Sequence, residues 1–257
     1  MYQPGGGGGI HDLSLLFELN NNAKLPSFAL NSKTLTILNL KNVLILDPPS
    51  RVVDLPSLKV LHMEYVAFSF SDYERKLLPG CPNLQDLRTK DLTREFSPLN
   101  NILMFNNLTH MELILDFKPE CARWHRRWLR DLLIKCPNLQ TLIMDKVVSM
   151  EREFNCKYWK DLKTVPECLL SHLTTCSLRN YTHTKSELQF AKYVMQNSRV
   201  LNTMEIHCAN FIDTYTKLQM LMELSLCPRI SATFATVTKG KISTLVREVI
   251  GNAMNEV

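Results

Sequence analysis

Cys168, His172 and Cys176 stand at steps of four, the spacing that would align three metal ligands along one face of a helix. A zinc site of that kind needs a fourth ligand, and the sequence offers none at a fixed spacing. Cys176 also fills an inward slot of the strand repeat described below, which takes its side chain off the helix that would carry the other two. No bound metal is expected. Cys81, Cys121, Cys136, Cys208 and Cys227 form no C-x-x-C pair, and the Cys-Pro positions read as small buried side chains ahead of a strand. A second constellation sets Arg123, Arg126, Arg127 and Arg130 around Trp124 and Trp128, residues that could stack on bases and touch phosphates. A helix on the outside of a layered fold, with its tryptophans inward and its arginines and His125 in water, produces the same pattern with no ligand.

The catalytic signatures are missing. There is no nucleophile elbow, no H-E-x-x-H, no phosphate-binding loop and no kinase motif. Five of the eight glycines form one run, Gly5 to Gly9, so none are left to cluster around a phosphate or a dinucleotide. Glu151 and Glu153 read as charged loop residues. The expectation is a protein with no enzymatic activity and no cofactor.

The net charge of +5 is spread along the chain and reads as a solvated surface, not a nucleic-acid footprint. No run reaches the roughly 18 apolar residues that span a bilayer, and Met1 to Gly9 has no secretory pattern. The eight cysteines sit singly, as in a protein of the reducing cytoplasm or nucleus.

What the chain does have is a repeat. Cys81-Pro-Asn-Leu-Gln-Asp-Leu87 returns as Cys136-Pro-Asn-Leu-Gln-Thr-Leu142, and the frame L-x-x-L-x-L-x-x-V extends it to seven copies. Their leading leucines are Leu35, Leu58, Leu84, Leu108, Leu139, Leu173 and Leu201, spaced 23 to 34 residues apart. The second slot holds Leu38, Leu61, Leu87, Met111, Leu142, Cys176 and Met204; the third holds Leu40, Met63, Thr89, Leu113, Met144, Leu178 and Ile206. Thr89 and, in the fourth slot, Asp116 are the only polar occupants, where composition alone would make about half of the slots polar. Slots two apart point to one side of a short strand. One such unit cannot bury its apolar side, but a stack of them can.

Elements must carry the chain from each strand to the next. Ala122 to Lys135 has Trp124, Trp128 and Leu132 at steps of four, the stripe of an amphipathic helix. Ser186-Glu-Leu-Gln189 reads as a capping box ahead of Phe190, Ala191, Val194 and Met195, and Tyr215 to Leu224 as a further helix. Ile242, Leu245, Val246, Val249, Ile250 and Ala253 fall on one helical face of the tail, the pattern of a helix that caps the exposed end of the core. The expected class is α/β: a leucine-rich-repeat solenoid, an irregular horseshoe with a parallel inner sheet and outer helices.

The strand positions that face away from the core would form the binding wall, on the order of 30 Å long for seven strands. They carry Asn39 and Lys41, His62 and Glu64, Asp86, Arg88 and Lys90, His110 and Glu112, Asp145, Arg179, and Glu205 and His207. Asn39, Lys41, His62, Glu64, Arg88, Lys90, Glu112, Asp145 and Arg179 are the candidate partner contacts, with Arg88 and Lys90 a patch that favours acidic groups. The mixed charge argues against a nucleic-acid groove.

The second half of the chain resembles a known family. Val165-Pro-Glu-Cys-Leu-Leu-Ser-His-Leu173, with Trp159 shortly before it, is similar to the opening of the FBD region of plant F-box/leucine-rich-repeat proteins. Glu187-Leu-Gln-Phe-Ala-Lys-Tyr-Val194, Leu201-Asn-Thr-Met-Glu-Ile206 and Glu223-Leu-Ser-Leu-Cys-Pro-Arg229 fit the same family, and the Cys-Pro-Asn-Leu pair resembles the repeats that precede that region. The resemblance implies a substrate-recognition subunit of a cullin-type ubiquitin ligase, with a protein target held on the inner strand face. The first thirty residues leave no room for the F-box that docks the ligase adaptor, which leaves docking of that adaptor open. The alternative is a free-standing repeat scaffold unrelated to ubiquitin. The expected organisation is a glycine leader over 1–9, repeats over 10–158, an FBD region continuing the solenoid over 159–237, and a tail over 238–257. If the frame is right, Leu87→Asp places a charge in the shared core, and cooperative thermal melting should be lost.

Overall fold

Residues two apart on a strand share a side, and in this chain the apolar ones share it from strand to strand. In a computed structural model, which describes residues 9–18, 23–46, 53–68, 77–90, 104–116, 122–147, 164–228, 230–231 and 235–238, that alternation builds two parallel sheets. The larger has nine strands in the order β1 (Asp12–Leu16), β3 (Ile37–Lys41), β5 (Val60–Glu64), β7 (Asp86–Lys90), β8 (His110–Asp116), β9 (Thr141–Val147), β10 (Thr175–Tyr181), β11 (Thr203–Cys208) and β12 (Ala235–Thr238). The smaller is β2 (Ala23–Lys24), β4 (Val43–Ile45) and β6 (Ala67–Phe68). Four α-helices, α1 (Ala122–Lys135), α2 (Glu167–Ser171), α3 (Lys185–Asn197) and α4 (Thr214–Ser225), and two short 3-10 helices, Ser27–Asn31 and Leu78–Gly80, complete the described elements. None of them is long and apolar enough to cross a membrane.

The register runs straight through the second slot. Leu13 pairs with Leu38, which pairs with Leu61, then Leu87, Met111, Leu142, Cys176 and Met204. Every residue from Leu38 to Met204 in that row is buried, as are all seven leading leucines. Each such side chain contributes roughly 1.5–3 kcal/mol by leaving water.

The array is longer than seven strands, with β1 and β12 flanking the expected set. β1 does carry an Ile10-x-x-Leu13-x-Leu15 frame, but it lacks a hydrophobic fourth slot, where Glu18 stands. In β12 the residues in register with Met204 and Ile206 are Thr236 and Thr238, which give no apolar signal.

The entry to each strand is built the same way. The carbonyl one residue after the leading leucine accepts two amide hydrogens from the next repeat: Thr36 O from Lys59 and Val60, Lys59 O from Gln85 and Asp86, Gln85 O from Thr109 and His110. Thr109, Gln140 and Thr174 continue the series, and His11 begins it, which marks Ile10 as the head of an earlier repeat. Side chains one residue ahead of the leading leucine add a second ladder. Ser57 Oγ donates to Lys33 O at 2.6 Å, Asn83 Nδ2 to Pro56 O at 2.8 Å, Asn107 Nδ2 to Pro82 O at 3.5 Å and Asn138 Nδ2 to Asn106 O at 2.7 Å. This is the work of the asparagine in Cys-Pro-Asn-Leu. The preceding Cys81 and Cys136 are buried, as are Cys168 and Cys176. Gly80 completes the turn before Cys81: a Cβ there would lie 2.5 Å from the Val53 carbonyl oxygen, so only glycine fits.

The layer behind the large sheet changes along the chain. Short strands β2, β4 and β6 fill it first, and helices take over from α1, packing in series as α1 on α2, α2 on α3 and α3 on α4. Helix α1 has the expected bounds. The side chains of residues 122–128, which include the tryptophans and most of the arginine constellation, lie outside the described residues, as do Glu151, Glu153, Trp159, the glycine run up to residue 8 and the tail 241–257.

The cap of α3 differs from the expected Ser186-x-x-Gln189 by two residues. Thr184 is the N-cap, its hydroxyl accepting from the Glu187 amide, and the Glu187 carboxylate accepts from the Thr184 amide at 2.9 Å. Both pairs fit the S/T-x-x-E/Q pattern. The carboxylate prevails because a negative charge suits a helix N-terminus better than an amide does.

Thr89 occupies a third slot between Met63 and Leu113, 3% exposed, and its hydroxyl has no hydrogen-bond partner among the described residues. An unsatisfied buried hydroxyl costs about 1–3 kcal/mol. Thr89→Val keeps the shape and removes that cost, so it should raise unfolding stability by roughly 1 kcal/mol in a denaturant titration.

Candidate functional site

The face of the large sheet turned away from the core is polar because the same alternation that buries one residue exposes the next. Two rows cross it. One runs Ser14, Asn39, His62, Arg88, Glu112, Ile143, Ser177, Glu205; the other runs Leu16, Lys41, Glu64, Lys90, Ile114, Asp145, Arg179. All nine candidate contact residues therefore lie on one face.

Most of them hold one another. Lys41 and Lys90 flank Glu64 at 3.2 and 2.8 Å, one from each neighbouring strand. The Lys90 hydrogen bond holds the Glu64 carboxyl below its ordinary range, against the opposing effect of partial burial, and Lys41 adds to it. Reciprocally, Glu64 raises the Lys90 ammonium, which also lies 4.9 Å from the Tyr65 ring centroid. His62 Nε2 lies 3.4 Å from Asp86 Oδ1, and Asn39 Nδ2 donates to Ser14 Oγ at 3.0 Å. Asp145 accepts from Asn180 Nδ2 at 2.7 Å.

A second triad is centred on Glu112. This carboxylate is buried on the otherwise solvated face, its side chain 8% exposed, with Arg88 Nε at 3.4 Å and Arg179 Nη1 at 2.6 Å. Arg88 comes from the adjacent strand. Arg179 comes from β10 and reaches over β9 to β8, a contact 67 residues apart in sequence. Arg88 and Lys90, read from the sequence as one patch, are thus divided between two carboxylates. Lys90 is committed to Glu64, and Arg179 takes its place beside Arg88.

One backbone device recurs in three of the repeats. Asn42, Tyr65 and Asn180 each stand two residues after a third-slot residue, with φ of 54, 51 and 52°. Asparagine tolerates this left-handed conformation; tyrosine is strained in it. Sequence reading missed Asn180 and Ser14, which fix Asp145 and Asn39, although the Ile10-x-x-Leu13 frame was a usable signal for Ser14.

The thiols of Cys81, Cys136, Cys168 and Cys176 lie in the core. Burial pushes those of Cys81, Cys168 and Cys176 up to about 12, and that of Cys136 well above its ordinary value, which keeps them protonated at neutral pH. Cys168 lies in α2 and Cys176 in β10, with His172 just past the end of that helix. Among the described residues no group of three or more possible ligands gathers around a metal position.

Comparison with known proteins agrees with the second half of the chain. The FBD family model matches residues 161–206. A putative F-box/FBD/LRR-repeat protein of Arabidopsis thaliana is 24% identical over 308 residues, covering 83% of this chain and 67% of that protein. A second F-box/FBD/LRR-repeat protein of that plant is 30% identical over 189 residues, covering 73% and 40%. A probable FBD-associated F-box protein from it is 28% identical over 231 residues, covering 87% and 59%. The chain thus spans between 40 and 67% of the lengths of these relatives. It carries an FBD region and is related, at low identity over most of its length, to plant proteins named for F-box, FBD and leucine-rich-repeat regions. No solved structure matches it.

The Glu64 cluster predicts an acid dependence. A carboxyl held below its unfolded value stabilises the fold above that value, and the contribution disappears as pH falls through the folded one. Glu64→Gln should therefore lower the melting temperature at neutral pH by an amount equivalent to at most about 1 kcal/mol. The gap to the natural protein should close in acid, as pH falls below the ordinary carboxyl value and through the lower value of folded Glu64. A gap that stays the same size throughout that acid range would show that the Glu64 ion pairs are not its source.

Proposed function

We propose that the chain is a leucine-rich-repeat solenoid that binds a protein partner on the polar face of its large sheet, as the substrate-recognition part of an F-box ubiquitin-ligase subunit would. In this reading residues 10–158 form the repeat region, 159–237 an FBD region that continues it, 238–257 a tail that begins at the last residue of β12, and 1–9 a leader. The observation that carries the reading is the face itself. Its charged side chains are fixed by partners from neighbouring strands on a sheet whose other side is core, so little conformational freedom is lost when something docks there.

Size supports a macromolecular partner. Nine strands at about 4.8 Å and five residues at about 3.3 Å give a patch of about 38 by 17 Å. Its projected area, some 600 Å², approaches the roughly 800 Å² that one partner contributes to a standard protein interface. The charges on it alternate in sign, unlike the uniform cationic track that a nucleic-acid backbone needs. The protonated, buried thiols and the lack of catalytic signatures support a role without catalysis, and free cysteines at Cys81, Cys136, Cys168, Cys176 and Cys208 fit the cytoplasm or nucleus.

Delivery of the partner to a ligase requires an F-box, the region for which the relatives are named. A photo-crosslinking side chain at Asn39 or Asp145 should capture a protein that the same group at Gln196, on α3, does not. Equal capture from all three positions, or capture from Gln196 alone, would place the docking surface elsewhere. Copurification of the ligase adaptor with the chain and its captured partner would favour the ligase-subunit role. Capture of the partner without the adaptor would favour a free-standing scaffold.

A further inference from the structure

The Glu112 triad is an unusual thing to find on a face that meets water. A surface carboxylate ordinarily stays exposed and pairs loosely, yet this one keeps 8% of its side-chain surface while the two arginines above it keep 50 and 39%. The anion is sunk and the cations stand over it. What a visitor meets at this point of the face is therefore guanidinium, and two cations over one anion leave the triad net positive.

The geometry leaves the guanidiniums only partly used. Arg88 meets Glu112 through Nε, and Arg179 meets it through Nη1. A guanidinium has five N–H donors in a planar fork, so each retains donors that do not point at Glu112. The two converge from opposite sides, Arg88 from β7 and Arg179 from β10, across β8 and β9. Past Glu112 in the Arg88 row comes the uncharged Ile143, while Arg179 stands in the other row beside Asp145, whose carboxylate accepts from Asn180. The neighbouring cations of the face, Lys41 and Lys90, are drawn to Glu64 instead.

We propose that Arg88 and Arg179, gathered over the sunken Glu112 carboxylate, accept a carboxylate side chain from an acidic segment of the protein partner. The proposal rests on the reading of this face as a docking surface and names the chemistry of what docks. Glu112 orders the two arginines before the partner arrives and competes with it afterwards. An incoming Asp or Glu would replace solvent on the remaining guanidinium donors with charge-assisted hydrogen bonds.

That dual role gives the site a signature that a generally basic surface lacks. The probe is a fluorescein-labelled hexaglutamate peptide, with hexaglutamine as the uncharged control, followed by fluorescence anisotropy at low salt. Arg88→Gln should weaken hexaglutamate binding about fivefold or more, because it removes a charged donor from the acceptor. Glu112→Gln should strengthen it about threefold or more by removing the internal competitor, and binding should fall as salt is raised. Lys192→Gln, the same loss of charge on α3, should change nothing. Indifference to Arg88→Gln, an equal loss in Lys192→Gln, or binding of hexaglutamine as strong as that of hexaglutamate overturns the proposal. So does a folded Glu112→Gln that binds no more tightly. If Glu112→Gln does not fold, the comparison of Arg88→Gln with Lys192→Gln decides. A partner captured through Asn39 or Asp145 whose binding is insensitive to Arg88→Gln would remove the acidic assignment and leave the docking face standing. The absence of capture from that face would remove the face itself.

Discussion

The carbonyl that follows each leading leucine accepts two amides from the next repeat, and the rest of the structure hangs on that bond pair. It fixes where every strand begins relative to its neighbour. A slip of one residue would turn the whole buried row outward and bring the charged row into the core. Because the pairing is parallel and the start is common, residues in the same slot stack directly along the array. The apolar row becomes continuous on one side, and the polar rows become continuous on the other.

The site inherits its geometry from this arrangement and adds little backbone machinery of its own. Lys41, Glu64 and Lys90 alternate in sign because three successive strands present the same slot side by side. The asparagine ladder at the strand entries serves the same end from outside the sheet, tying each turn to the one before it. Energetically the buried row outweighs these ties: one core leucine is worth roughly 1.5–3 kcal/mol, and a net hydrogen bond about 1 kcal/mol. The ladder sets position; the core supplies stability.

How much of this could be read from residues alone depends on how local each interaction is. The inward row was legible because a period of two leaves its mark within one strand, and the nine exposed candidates followed from it. The Glu112–Arg179 contact was not legible: it crosses a whole strand and 67 residues, and nothing near either residue announces the other. The cap of α3 was misplaced because two overlapping patterns both fitted, and only their charge distinguished them. The end strands escaped for a different reason. β12 offers threonines where the frame demands apolar residues, since a strand at the margin of a sheet has a neighbour on one side only. Thr89 shows the converse, a polar residue in a slot that the fold buries regardless.

The change of backing from short strands to helices has a mechanical consequence. Where β2, β4 and β6 lie behind the large sheet, both layers repeat at the same distance, about 4.8 Å, and neither forces the other to bend. Where α1 to α4 lie in series, their axes need about 8–10 Å each, while the strands in front advance by only half of that. The two layers can stay in contact only if the sheet closes in on itself as the helices fan out. Helix backing therefore asks the sheet to curve where strand backing does not, and Arg179, on β10 between α2 and α3, belongs to the helix-backed part.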